Sequence, residues 1–286
     1  MVDPVISLRD LCVSYGGQPV LGGINLDVKR GEVMVLLGGS GAGKSTLLRQ
    51  IVGLERPSSG EVYIQGVDIN RCSEKELNAI RRTMGVAFQE AALFNSLSTR
   101  ENVALPLREL TTLAEPVIEI MSYVKLASVG LGEAGDLMPE ELSGGMKKRA
   151  AVARATALDP HILILDEPSA GLDPIIGAEL DELILFLKHL FEMTLLVITH
   201  EMASAFRIAD RIAFLYRGSL LAVENKESFR ASTDGRIRQF LDRVPDRIEE
   251  SAMQKHLLEI AGFSGEEGVV SGQYASPDPA VSWQGD

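Results

Sequence analysis

Cysteine is scarce in this sequence: Cys12 and Cys72 are its two cysteines, far apart and in no CxxC pair. A disulfide framework or a cysteine-based metal site is therefore not expected, and a reducing cytosol fits the count. Positive charge is short as well, with 28 Lys and Arg against 40 Asp and Glu and a formal net charge of -12. That balance argues against a nucleic-acid binder, whose affinity comes mainly from basic side chains on phosphates. It leaves nucleotide binding open, because a nucleotide site needs positive charge only locally. Long apolar runs are missing too. The densest, residues 183–191, is interrupted by Lys188 and His189, whereas a spanning helix needs ~20 apolar residues. Any membrane role is then expected to be peripheral and to run through a partner. The opening Met1-Val2-Asp3-Pro4 has no basic stretch followed by an apolar run, so no signal peptide is expected. No internal repeat stands out.

The remaining composition, 45% hydrophobic and 24% charged, is ordinary for a soluble globular protein. The length of 286 residues suits one large domain or one domain with an appendage, since domains run ~100–200 residues. Runs rich in β-formers predict strands over 5–15, 24–28 and 33–37, split by Gly16-Gly17 and Arg30-Gly31. A helix is predicted over 45–53 and a strand pair over 61–69, after the Ser59-Gly60 turn. A polar helix follows over 73–82, with Ser73 as N-cap and Glu76 closing a capping box. Residues 84–88 read as a short strand. From 90 to 157 helical periodicity replaces the strand runs, as in 116–126 and 146–158, which predicts a helical insertion. Strands return at 162–165 and 195–199. Between them Asp173 caps a helix with Pro174 at its first position and Leu180, Leu183, Leu187 and Leu190 at helical spacing. A hairpin around Arg217-Gly218 occupies 211–224. This order predicts a mainly parallel α/β core. Further helical segments are predicted over 226–244 and 246–261, joined at Pro245. In the second, Met253, Leu257, Ile260 and Ala261 recur at helical spacing, an apolar stripe that faces its own core, another subunit or an accessory protein. Residues 264–286, rich in Gly, Ser and Pro, read as a flexible tail.

The segment Gly38-Gly39-Ser40-Gly41-Ala42-Gly43-Lys44-Ser45 fits G-x-x-x-x-G-K-[ST] in full. It follows an apolar strand and precedes a helix, which is the context that pattern needs. Glycines let successive N–H groups curl around phosphate oxygens, and the following helix points its positive end at them. Lys44 supplies a point charge for the β- and γ-phosphates and Ser45 a hydroxyl oxygen for Mg²⁺, while Thr46 caps or contacts the α-phosphate. The chain is thus expected to bind and hydrolyse ATP. Residues 162–167, Ile-Leu-Ile-Leu-Asp-Glu, are an apolar strand ending in two carboxylates. Functional groups gather at the carboxyl ends of parallel strands. Asp166 is expected to hold Mg²⁺ through water, and Glu167 to polarise the attacking water as general base.

Further residues resemble a known family in order and in kind. Leu142-Ser143-Gly144-Gly145-Met146 looks like the signature of ABC-type ATPases, Gln89 like the Q-loop glutamine, and Gly171-Leu172-Asp173 like the D-loop. His200 looks like the switch histidine and Tyr15 like the aromatic against adenine. The resemblance covers residues 5 to about 225. It implies a P-loop NTPase core over 5–225 with an N-terminal β subdomain and a helical subdomain over about 90–157. A C-terminal helical extension over 226–263 and the tail over 264–286 would follow. It implies catalysis by Glu167 with His200 and Gln89, and Mg²⁺ held by Ser45, Asp166 and Gln89. It also implies that Ser143, Gly144 and Gly145 close over ATP held by a second copy of the chain. The usual signature ends in Gln where this chain has Met146; the backbone donors are untouched by that difference.

Within the family, several stretches are similar to the ATPase subunit of Mla-type transporters, phospholipid-trafficking systems that work with MCE-domain proteins. They are residues 142–149, 88–94, 101–108, 171–175 and, beyond the core, Arg236-Ile237-Arg238-Gln239-Phe240-Leu241. This similarity implies a peripheral place on the cytoplasmic face of the inner membrane. The partners implied are an integral-membrane permease, an MCE-domain protein and a small accessory protein, and no nucleic acid. Residues from Gln89 to about Leu107 would form the groove for the permease's coupling helix. Phe94 and Leu97 are either part of that contact or packed within the insertion. Transporters of amino acids, ions and drugs share the core, so these residues leave the cargo open; a non-transport ABC ATPase is the further alternative, although such proteins typically carry a long coiled-coil insertion or two ATPase cores and this sequence shows neither.

Overall fold

The computed structural model describes residues 3–244. The chain divides into a unit over Met1–Asp242 and a second over Arg243–Asp286. The expected helix over 246–261, its stripe of Met253, Leu257, Ile260 and Ala261, and the tail over 264–286 lie outside the described residues.

Two sheets build the first unit. Strands β1 (Pro4–Tyr15), β2 (Gln18–Lys29), β4 (Ser59–Ile64) and β5 (Val67–Asp68) form an antiparallel sheet in the order β2-β1-β4-β5. Strands β3 (Val33–Leu37), β6 (Met84–Ala87), β7 (Ile162–Asp166), β8 (Thr194–Thr199), β9 (Arg211–Tyr216) and β10 (Ser219–Asn225) form the second, in the order β10-β9-β3-β8-β7-β6. Every neighbouring pair there is parallel except the β9–β10 hairpin. The central strands are unbroken apolar runs, and β3 and β8 are buried at every residue. Parallel strands covered on both faces require that pattern.

Alternation along these strands divides the core in two. Val33, Val35, Leu37, Leu163, Leu165, Leu195 and Val197 point to one face, and Met34, Leu36, Ile162, Ile164, Leu196 and Ile198 to the other. The second face is covered by the antiparallel sheet and by α1 (Lys44–Ile51), through Ile6, Leu8, Ile24, Leu47 and Ile51. Arg211 on β9 ties the two sheets together at one end, donating to the buried Glu32 carboxylate at 3.0 Å and to the Asp27 carbonyl at 3.1 Å.

The first face is covered by helices, among them α3 (Thr99–Leu110), α4 (Glu115–Ser128), α5 (Gly144–Ala155) and α6 (Pro174–Leu190). No strand lies between Ala87 and Ile162, the span in which a helical insertion is expected. The Ser73–Glu76 capping box opens α2 (Glu74–Arg81), and Asp173 caps α6 at the N–H groups of Ile175 and Ile176. A second capping box, Ser98 with Glu101, opens α3; the sequence reading did not name that helix. It also did not name α7 (Met202–Ile208), whose seven residues are too few to show a period.

The expected single helix over 226–244 is instead two short ones, α8 (Lys226–Arg230) and α9 (Gly235–Leu241). Asn225 caps the first and Asp234 the second, each accepting from a backbone N–H. Asp234 thus starts a new helix and does not continue the old one, as short polar side chains favour at caps. Both helices belong to the compact unit, which runs to Asp242. Phe229 is fully buried, and the Phe214 ring lies 5.7 Å from Phe229 and 5.0 Å from Phe240. Phe229→Ala is expected to lower unfolding stability by about 3–5 kcal/mol, the range for truncating a buried aromatic. Denaturant titration of the full chain measures this; a loss below about 1 kcal/mol would detach the extension from the core.

Candidate active site

The parallel register brings the carboxyl ends of adjacent strands to one edge. Leu37 pairs with Thr199, and Asp166 with Ile198. The chain leaving β3 at that edge turns through residues 38–43 into α1. A Cβ at Gly38 would lie 2.4 Å from the Leu215 carbonyl oxygen, so no side chain fits there. Gly43 has φ +104°, and a Cβ on it would sit 2.7 Å from Leu21 Cδ2. Gly43 is also the N-cap of α1, with no side-chain cap and no acid in the first turn. The first N–H groups of the helix are therefore left for an anion. Lys44 folds back over the loop. Its Nζ donates to the carbonyls of Gly38 at 2.8 Å and Gly39 at 3.1 Å, and stands 3.7 Å from Glu167 Oε1.

Glu167 follows the last residue of β7 with φ +48°, a strained conformation for a side chain of this size. Its backbone N–H donates to the Ile198 carbonyl at 2.8 Å, which holds the kink. Its carboxylate is buried and surrounded by donors. Thr199 Oγ1 and the His200 N–H donate to Oε2 at 3.2 and 3.3 Å, and His200 Nδ1 is 2.8 Å from Oε1. Burial, then the neighbouring Glu167 charge, push the Asp166 carboxyl above the usual range, while Lys44 and Lys148 pull it down. A cation placed against Asp166 would favour its charged form for the same reason.

These groups meet in one cavity of about 480 Å³, lined by Ser40, Gly41, Ala42, Gly43, Lys44, Ser45, Thr46, Gln89, Asp166, Glu167 and His200, with Val20 alongside. Gly38 and Gly39 lie beneath it, through their carbonyls on Lys44. Tyr15 is not in the lining. Its half-exposed ring ends β1, and its hydroxyl donates to the Glu55 carboxylate, a bond that raises the phenol's pKa. Ser143, Gly144 and Gly145 are not in the lining either. Ser143 caps α5, its Oγ accepting from the Met146 N–H at 3.3 Å. Gly145 is pressed against α6, where a Cβ would lie 2.9 Å from Ile176 Cγ2. The Met146 side chain packs on the helical face of the core.

Sequence reasoning missed three supports. Thr199, beside His200, anchors the Glu167 carboxylate. Arg154 donates to the carbonyls of Ala91 and Ala92 at 2.9 and 2.7 Å, two left-handed residues that follow Gln89. Lys148 donates to the Gln89 carbonyl at 2.5 Å and the Glu167 carbonyl at 3.0 Å. Lys148 and Arg154 lie some 60 residues from the loop they hold; Lys148 falls in the stretch over 142–149, but nothing there signals a bond to Gln89, and Arg154 lies outside it. Asn102 closes the far end of this loop, accepting from the Phe94 N–H and donating to the carbonyls of Phe94, Leu97 and Ser98. Phe94 is 53% exposed, and Leu97 is partly buried.

The sequence profile of the ABC transporter family matches residues 21–170. The chain belongs to this family. It is similar to the probable ribonucleotide transport ATP-binding protein mkl of Mycobacterium leprae, at 40% identity over 269 residues, 91% of this chain and 78% of that protein. It is also similar to MlaF of Escherichia coli, an intermembrane phospholipid transport system ATP-binding protein. That identity is 39% over 242 residues, 85% of this chain and 90% of that protein. Among solved structures it resembles the dimeric ATP-binding cassette MJ0796 in a post-hydrolysis state with ADP and phosphate. The TM-score is 0.71 at 32% identity, over 77% of this chain and 98% of that one. As an ABC ATPase, the chain binds and hydrolyses ATP as the nucleotide-binding subunit of a transporter. Removing the Lys44 amine should weaken ATP binding about 10- to 100-fold, the loss of one charge-assisted contact. Calorimetric titration of Lys44→Ala with ATP reads this directly, and an unchanged Kd would contradict the role given to Lys44.

Proposed function

We propose that this chain powers a phospholipid transporter, working as a pair of copies that hold ATP between them beneath an integral-membrane permease. The observation that carries the ATPase part is the meeting of Lys44, Ser45, Asp166 and Glu167 in one cavity at the sheet edge. The triphosphate lies along the loop N–H groups and the open end of α1, with Lys44 at its β- and γ-phosphates. Ser45, Asp166 and Gln89 offer a hydroxyl, a carboxylate and an amide oxygen, the hard donors that suit Mg²⁺. When bound, that ion neutralises charge on the β- and γ-phosphate oxygens. Glu167 accepts a proton from the attacking water as the bond to the leaving ADP breaks. Thr199 and His200 hold the carboxylate in place for this. Tyr15, at the end of the strand next to the one that carries Val20, offers its ring to adenine.

One copy supplies half of the site. Support for this comes from Ser143 and Gly144, which are solvent-exposed and absent from the cavity of their own chain. Their N–H and hydroxyl groups are donors for the γ-phosphate of ATP held by the second copy. The Gln89 loop, with its exposed Phe94, receives the permease's coupling helix, and an MCE-domain protein and a small accessory protein complete the assembly. The protein then sits peripherally on the cytoplasmic face of the inner membrane. No described helix is long and apolar enough to cross a bilayer. The phospholipid reading rests on the relatives named MlaF and on the Mla-like stretch over 236–241. The name of the Mycobacterium leprae relative favours ribonucleotide as the alternative cargo.

Two measurements test this reading. Glu167→Gln should bind ATP normally while kcat falls at least about 100-fold, the range for loss of a general base; turnover at the parental rate would remove Glu167 from that role. Affinity purification from native membranes should recover a permease, an MCE-domain protein and phospholipid by mass spectrometry. Recovery of a permease with ribonucleotide and no lipid would overturn the cargo assignment.

A further inference from the structure

The ladder between β6 and β7 ends at the pair Ala87 and Leu165. Two residues further along each chain stand Gln89 and Glu167, both lining the phosphate cavity. Past the ladder, the carbonyls of these two residues are bridged by one ammonium. Lys148 Nζ donates to the Gln89 oxygen at 2.5 Å and to the Glu167 oxygen at 3.0 Å.

We propose that Lys148 is a positioning residue for ATP hydrolysis, a clamp from α5 that sets the spacing of Gln89 and Glu167. This deepens the reading that those two side chains act on MgATP, and rests on it. Three features support the assignment. The root of the side chain is anchored, since just past Arg149 the α5 residues Ala150, Ala151, Val152 and Ala153 are all buried. Burial pushes the ammonium's pKa below the ordinary lysine range, and the negative charges of Glu90, Glu167, Asp166 and Glu201 around it oppose that shift. A lysine carries three donors and no acceptor, so it can bridge two carbonyls and keep one N–H for water or a carboxylate. The same helix begins at Ser143, so a displacement of α5 would reach both cavity residues through one side chain.

Lys148→Met keeps the stem and removes the donors. For the full chain with MgATP, kcat should fall about 10- to 100-fold, as expected for losing charge-assisted hydrogen bonds that act on the transition state. KM for ATP should stay within about twofold and the melting temperature should be nearly unchanged. The Mg²⁺ concentration for half-maximal rate should rise, because the Gln89 amide is no longer held at the site. Lys148→Arg, which keeps charge and donors, should restore most of the rate. If Lys148→Met does not fold, Lys148→Gln supplies the same readings, with a shorter, neutral amide in place of the ammonium. Parental kcat and Mg²⁺ dependence in Lys148→Met would overturn the proposal. So would a fall in melting temperature with kcat and KM changed together and no rescue by Arg. Glu167→Gln, run in parallel, separates the two failures. If it is inactive while Lys148→Met is normal, only the clamp is wrong; if it turns over normally, the hydrolysis reading itself is wrong.

Discussion

Parallel pairing of β3 with β8, and of β8 with β7, is the constraint from which the site follows. Strands running the same way end at the same edge, so the residues leaving them must meet there. The glycine-rich loop leaves β3, Asp166 and Glu167 end β7, and Thr199 and His200 end β8. The sheet achieves this because both its faces are apolar and both are covered. One face meets the antiparallel sheet and α1, the other the helical insertion together with later helices such as α6. A one-residue slip of any central strand would exchange its two faces and move its terminal residue out of the cavity. Hydrophobic alternation and catalytic geometry are therefore set by the same register.

The edge is then linked to the insertion by hydrogen bonds from its last helix. Lys148 and Arg154, both on α5, hold the chain from Gln89 to Ala92, and Asn102 on α3 ties off the loop beyond it. On the proposed function, a nucleotide that draws Gln89 toward the cavity would pull on this set of bonds. The proposed partner, pressing on the exposed Phe94, would pull on it from the other side. Coupling of this kind needs only that the nucleotide prefer one of two arrangements of the loop.

Legibility in the sequence followed the range of the interactions. The glycine-rich loop was readable because its requirements are backbone requirements at fixed positions, a close approach at Gly38 and a left-handed φ at Gly43. The caps at Ser73 and Asp173 were readable because donor and acceptor lie within three residues of each other. The apolar strands were readable as unbroken runs. Lys148, Arg154 and Thr199 were not, because their partners are distant in the chain and lysine, arginine and threonine are common on any surface. The break between α8 and α9 is signalled only by Asp234, inside a stretch whose composition reads as one helix. The tie of Phe229 and Phe240 to Phe214, which makes the extension part of the core, depends wholly on tertiary packing.

On the proposed function the cavity is half of a site, and the exposed Ser143 turn of a second copy is the other half. Sedimentation of the full chain as Glu167→Gln, with and without MgATP, tests this most directly. The predicted result is a doubling of mass on adding MgATP that is lost when Ser143→Arg is introduced as well. An unchanged mass at saturating MgATP, with nucleotide bound, would contradict it.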